Sequence, residues 1–143
     1  MAIVVTLVVI QAVPYGRDHA NPDVVNEPAW SSPRTRELVV GACYDCHSNE
    51  VVWPWYSNIA PVSWAVSAHV AGGRDAVNFS DFVPGQADGH KSIETIKEGS
   101  MPPGYFTAFG LHSDANLSDE EVAELIDGLE TTPGLAEEEE GDD

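Results

Sequence analysis

Apolar positions recur with helical spacing through the middle and end of the chain, and form one unbroken run at its start. Pro33 opens "PRTRELVVGACYDCH", in which Val39, Ala42, Cys43 and Cys46 fall at i, i+3, i+4 and i+7. That spacing predicts a helix over 33–47 with both cysteines on its buried face. "PVSWAVSAHVAGG" opens at Pro61 and stacks Val62, Ala65, Val66, His69 and Val70 on one side, and Gly72 and Gly73 are expected to stop it. "KSIETIKEG" predicts a short helix ending at Gly99. The clearest signal is the last: Ser118 and Glu121 make a capping-box pattern ahead of a Val122, Leu125, Ile126, Leu129 stripe. No alternating strand pattern and no internal repeat competes. The fold class expected is all-α, with the first and last of these helices packed against each other.

The flanks differ from this body. Residues 1–16 begin with "MAIVVTLVVIQAV", an apolar run closed by Pro14. A buried strand is the plainer alternative, but the segment reads as an N-terminal hydrophobic anchor or signal remnant. It is shorter than the roughly 20 residues of a membrane-spanning helix and lacks a basic stretch at its head. Residues 17–32 are polar and punctuated by Pro, a linker wrapping onto the domain. Residues 33–132 form the domain proper, and 133–143, ending in "EEEEGDD", read as an acidic disordered tail.

Charge narrows the partners. The chain of 143 residues carries 24 Asp and Glu against 6 Lys and Arg, a net charge of −18. Nucleic acid is excluded as a partner, because its affinity comes from basic side chains neutralising phosphates. An anionic membrane surface is disfavoured as a docking partner for the same reason. A basic protein partner fits, and so does adaptation to a salty environment.

The candidate chemistry lies at 42–58, "ACYDCHSNEVVWPWYSN", which holds both cysteines of the chain. A structural zinc site wants four N or S ligands, and one C-x-x-C pair supplies half of them. A redox-active dithiol belongs after a strand in a βαβ pattern that this chain lacks. A disulfide between residues three apart closes a very small loop and adds little. Cys43-x-x-Cys46-His47 is the remaining reading, the attachment motif of a c-type haem. Two thiols one helical turn apart can each add to a vinyl group of the same porphyrin, giving two thioethers, and His47 then offers its imidazole to the iron.

A second axial ligand is expected at Met101, in the Gly/Pro loop "EGSMPPGYF", where core packing explains a methionine poorly. The two following prolines stiffen that loop. Filling both axial sites with His and Met raises the potential and favours electron transfer over substrate activation. His69, on the apolar stripe of its helix, is the rival ligand or a propionate partner. Trp53, Trp55, Tyr56 and Trp64 read as core aromatics that also keep water from a haem. His112 reads as a loop residue within possible reach of a propionate, while His19 and His90 are assigned no role.

The stretch "CYDCHSNEVVWPWYSNIAPVSWAVSAHVAGGRDAVNFSDF", with "IETIKEGSMPPGYF" and "LSDEEVAELIDGL" after it, resembles the bacterial haem-binding domain family of monohaem c-type cytochromes. The resemblance runs from about Arg34 to Leu129. It implies a small cytochrome c-like helical domain wrapped around one covalent haem, with Cys43 and Cys46 attached, His47 proximal and Met101 distal. "VIQAVPYGRDHANP" is similar to the end of the family's N-terminal membrane anchor. The chain departs from the pattern in its shorter hydrophobic start and in Gly104 after Met-Pro-Pro.

The function expected is single-electron transfer between redox partners, basic or membrane-bound, on the periplasmic side of the cytoplasmic membrane, with a tether at the N-terminus and no enzymatic step. Two other classes stay open: a haem-bearing subunit of a larger respiratory or photosynthetic complex, and a haem sensor or peroxidase should the distal site be open.

Overall fold

The computed structural model describes residues 1–84, 89–108 and 111–136. These form the helices α1 (Ala2–Val9), α2 (Pro33–His47), α3 (Val62–Ala76), α4 (Lys91–Lys97), α5 (Gly104–Thr107) and α6 (Asp119–Glu130). Short 3-10 turns stand at Ile10–Ala12, Trp55–Asn58 and Ser113–Ala115. The described residues hold no strand, only an isolated parallel bridge between Asn26 and Asp81. The protein is all-α.

Local chemistry sets the two helices that frame the domain. Ser32 caps α2, its Oγ accepting from the Thr35 amide at 3.0 Å, and Pro33 occupies a first-turn position where no amide hydrogen is needed. Ser118 and Glu121 cap α6 reciprocally: the Glu121 amide donates to Ser118 Oγ and the Ser118 amide donates to Glu121 Oε2, at 3.3 and 3.0 Å. The two helices pack where Gly128 meets Thr35; a Cβ on Gly128 would collide with the Thr35 side chain. Around this crossing the core gathers Leu38, Val39 and Tyr44 of α2, Ile93 of α4 and Leu125 and Leu129 of α6. Val77, Phe79 and Phe82 join it from the segment after α3. Each fully buried aliphatic side chain contributes on the order of 2 kcal/mol.

α3 departs from its expected form in two ways. It runs through Gly72 and Gly73 to Ala76 and ends where Val77 turns extended. Gly73 is a contact rather than a stop, since a Cβ there would strike the Cys46 carbonyl oxygen. The buried face is also rotated. Ser63 and Val70 are buried, whereas Val62, Ala65 and His69 are exposed. Small residues line the inner face because α3 lies tight against α2 at Gly73 and against Gly16 at Ser63.

The boundaries also move. Leu135, which the pattern places in the acidic tail, is fully buried in the core. Gly134, at φ +81, turns the chain there back onto Pro84 and Phe82. The expected tail at 137–143 lies outside the described residues. Residues 17–32 wrap onto the body: the Val25 amide donates to the Ser80 carbonyl at 2.8 Å and the Phe82 amide to the Asn26 carbonyl at 2.9 Å.

This wrap is pinned by Glu27, whose carboxylate takes both Arg36 donors at 2.8 Å and the Trp30 indole N–H at 3.1 Å. The Arg36 hydrogen bonds hold its pKa below the ordinary carboxylate value, against the opposing effect of burial. A carboxylate whose pKa is lower folded than unfolded adds stability above the unfolded value and loses it as pH falls through the folded one. Glu27→Gln is therefore expected to cost about 1–2 kcal/mol near neutrality and to make stability fall less steeply below pH 5. Denaturant melts between pH 7 and 3 check this; parallel curves for the two proteins would contradict it.

Candidate functional site

The last turn of α2 carries Cys43, Cys46 and His47. Both thiols are free and half-buried, and Cys43 packs against the core. Burial, with a smaller contribution from the neighbouring Cys46, pushes the Cys43 thiol up to about 12. Burial, and then the charge of Asp45, pushes Cys46 up to about 11. Neither is poised as the low-pKa thiolate of a redox dithiol. Among the described residues no group of three or more His, Cys, Asp or Glu side chains comes together as a metal-ion cluster.

His47 is oriented from two sides. Its Nδ1 lies 3.1 Å from the Val77 carbonyl oxygen, so Nδ1 carries the proton and Nε2 is left as the free lone pair. Its ring lies tilted against Phe79, centroids 6.2 Å apart, and the Phe79 amide donates to the His47 carbonyl at 2.8 Å. Burial holds the imidazole pKa below its ordinary value, which favours the neutral, ligating form. A ring nitrogen fixed by a backbone carbonyl, with the other free, is the usual support of a metal-binding histidine.

α3 delivers two further groups to this turn. Gly73 lets its backbone reach Cys46, and Arg74 reaches past it, Nε donating to the Ser48 carbonyl at 2.7 Å. The other donors of Arg74 go to the Ala20 carbonyl and Asn21 Oδ1 at 3.1–3.2 Å. A guanidinium thus sits at the C-terminal end of α2, where the helix dipole favours positive charge.

The aromatic residues after the motif divide. Trp53 stacks on His19, centroids 4.7 Å apart, and His19 Nε2 lies 2.9 Å from Ser57 Oγ. Trp55 is 72% exposed. Tyr56 Oη lies 2.7 Å from His112 Nε2, and His112 Nδ1 lies 3.3 Å from Asp45 Oδ2, one residue before Cys46. Trp64 buries its indole N–H without a hydrogen-bond partner. His112, read as a loop residue, and His19, given no role, are both side chains that lock the 53–57 turn in place. No local signal marks them, because their partners lie 56 and 38 residues away.

Met101 follows α4, its amide donating to the Thr95 carbonyl at 3.1 Å and its side chain 40% exposed. No hydrogen bond or ring contact joins Met101 itself to the cysteine turn. The chain just beyond it does approach: Tyr105 stacks on His69, Oη 3.3 Å from Nε2, and Phe106 stacks on His112 at 3.8 Å. His69 is thus an exposed partner of Tyr105. A cavity of about 500 Å³ runs along another side of α2, against Arg36, Val40, Tyr44 and His112, and is not lined by Cys43, Cys46, His47 or Met101.

The cysteine turn thus holds two thiols beside a histidine whose Nε2 is free. A haem-binding domain family model matches residues 5–131, and the chain belongs to that family. No curated protein and no solved structure matches it. The protein is a haem-binding protein.

Proposed function

We propose that the protein is a monohaem c-type cytochrome that carries single electrons between redox partners on the periplasmic side of the cytoplasmic membrane. The observation that carries this reading is the fixed His47, with Nε2 free, on the same helical turn as two otherwise unused thiols. Cys43 and Cys46 hold the haem through two thioethers, each formed when a thiol S–H adds across a vinyl group. His47 and Met101 would be the residues that ligate its iron. The bound haem supplies the one-electron couple; the chain's residues make and break no bonds in the transfer.

Each nearby residue then has a defined task. The Val77 carbonyl strengthens His47 as a donor and fixes its plane. Arg74 places positive charge beside the proximal ligand, which favours the reduced state. The partnerless Trp64 N–H is the kind of donor a propionate takes up. The acidic exterior steers a basic partner, an effect that weakens as salt rises.

The optical spectrum of ferric protein from a host that matures c-type haem is the test. A low-spin spectrum with the weak long-wavelength methionine–iron band is expected. Met101→Ala should remove that band and lower the midpoint potential by on the order of 100 mV, within the ~0.8 V over which axial ligands set haem potentials. The second reading is an open distal site serving a sensor or peroxidase. A high-spin wild-type spectrum would establish that reading instead.

A further inference from the structure

The charges of this protein are distributed unevenly, and the fold gathers what they avoid. None of its 24 acidic or 6 basic residues falls within 1–16 or within 51–73. These stretches are far apart in sequence, and Gln11 fastens one to the other. Its Nε2 donates to the Ala60 carbonyl at 2.8 Å while its Oε1 accepts from the Ala60 amide at 3.0 Å, the pairing one peptide group makes with another. Arg17, the first charged residue, closes the clamp from behind, donating to Gln11 Oε1 and to its carbonyl, both at 3.0 Å. Gly16, at φ +75, lies so close to the Ser63 carbonyl that a Cβ there would collide with it.

The joined surface is apolar and open. α1 buries none of its residues, and apart from Thr6 its side chains are apolar and exposed all round. Beyond the clamp the exposed apolar surface continues through Val13, Tyr15, Trp55, Ile59 (44% exposed) and Val62 (42% exposed). Trp and Tyr at the rim of an apolar surface are the residues that settle at a membrane–water interface. We infer that this face, made of α1 and the 55–62 turn, rests on a lipid bilayer. The inference rests on the N-terminal membrane tether expected from the sequence and adds to it: the domain is held in one orientation, with its acidic surfaces turned outward.

Charge selects this occupant. A body with net charge −18 is repelled by anionic headgroups over a Debye length of about 8 Å, so it can lie flat on a membrane only through a face without carboxylates. Such a face also desolvates no ion on contact. No helix among the described residues is long and apolar enough to cross a membrane.

The test uses full-length holoprotein and vesicles of zwitterionic phosphatidylcholine. A nitroxide is placed on Ile59→Cys after haem attachment, and a control on Ala123→Cys, an exposed position of α6 flanked by Glu120 and Glu124. On vesicle binding, collisions of the label at 59 with a water-soluble nickel reagent should fall about fivefold or more, as for a side chain sunk to the headgroup boundary. The label at 123 should change by less than about twofold, since it stays in water. Vesicle-bound protein whose label at 59 stays as open as that at 123 would overturn the inference and give the face to a membrane protein. Protein that does not float with vesicles at all would overturn the tether itself, a separate and recognisable failure.

Discussion

Holoprotein in which Cys43 and Cys46 are both replaced by Ala is expected to surrender its haem completely to acid–acetone, while the wild type retains it. Both side chains sit on the last turn of α2, and Ala is the residue most compatible with a helix, so the turn itself survives. His47 keeps its bond to Val77 and remains able to ligate iron. What disappears is the covalent link, which holds the macrocycle at an effective concentration that no free haem reaches. Each single variant should keep one thioether and stay pigmented after extraction, with a shifted reduced-state spectrum. Cys43 carries more of the packing, so Cys43→Ala should melt lower than Cys46→Ala. Retention of pigment by the double variant would contradict covalent attachment while leaving the haem-binding family assignment untouched.

How much of this was readable in the sequence depended on the range over which each feature is decided. α2 and α6 could be read because their signals lie within the helices themselves, Pro33 with the Val39, Ala42, Cys43, Cys46 spacing in one and Ser118 with Glu121 in the other. The cysteine turn was equally plain, since Cys43, Cys46 and His47 span one helical turn and their spacing is their chemistry. Gly73 was not readable: a glycine that ends a helix and one that admits a neighbour look identical until the neighbour, Cys46, is placed. Leu135 was hidden behind Pro133 and Gly134, because turn residues mark the end of a domain as readily as a fold-back onto it. His112 gains its partners, Tyr56 and Asp45, only through tertiary folding. The Gln11 clamp is of the same kind, a pairing across 49 residues that no periodicity announces.

Gly72→Ala and Gly73→Ala, one residue apart on α3, are expected to change stability in opposite directions. At Gly72 an added Cβ meets nothing within 4 Å, so the substitution brings only the helix preference of Ala over Gly, a gain of about 0.5–1 kcal/mol. At Gly73 the same gain applies, but the Cβ strikes the Cys46 carbonyl oxygen and lies 2.9 Å from its carbon and 3.1 Å from its Cβ. These atoms belong to the last turn of α2 and cannot swing aside as a flexible side chain would. The helices must separate by several tenths of an ångström, at the 1–3 kcal/mol cost of overpacking. The net loss, about 0.5–2 kcal/mol, should lower the melting temperature by a few degrees, while Gly72→Ala raises it by a similar amount. The separation also has a consequence at the proposed iron site. Val77 rides on the end of α3 and holds His47 Nδ1 at 3.1 Å, while Arg74 rides beside Gly73 and holds the Ser48 carbonyl at 2.7 Å. Moving α3 outward stretches both bonds at once, weakening the donor strength of His47 and taking positive charge away from it. The weaker donor raises the potential and the lost positive charge lowers it, so Gly73→Ala should shift the midpoint potential by the difference of the two and broaden the ferric spectrum, and Gly72→Ala should leave both unchanged. Thermal melts and a potentiometric titration of the two variants decide it. Equal melting temperatures would show that α3 does not press on α2 at Cys46. A lowered melting temperature with both the potential and the ferric spectrum unmoved would detach α3 from the tuning of the proximal ligand.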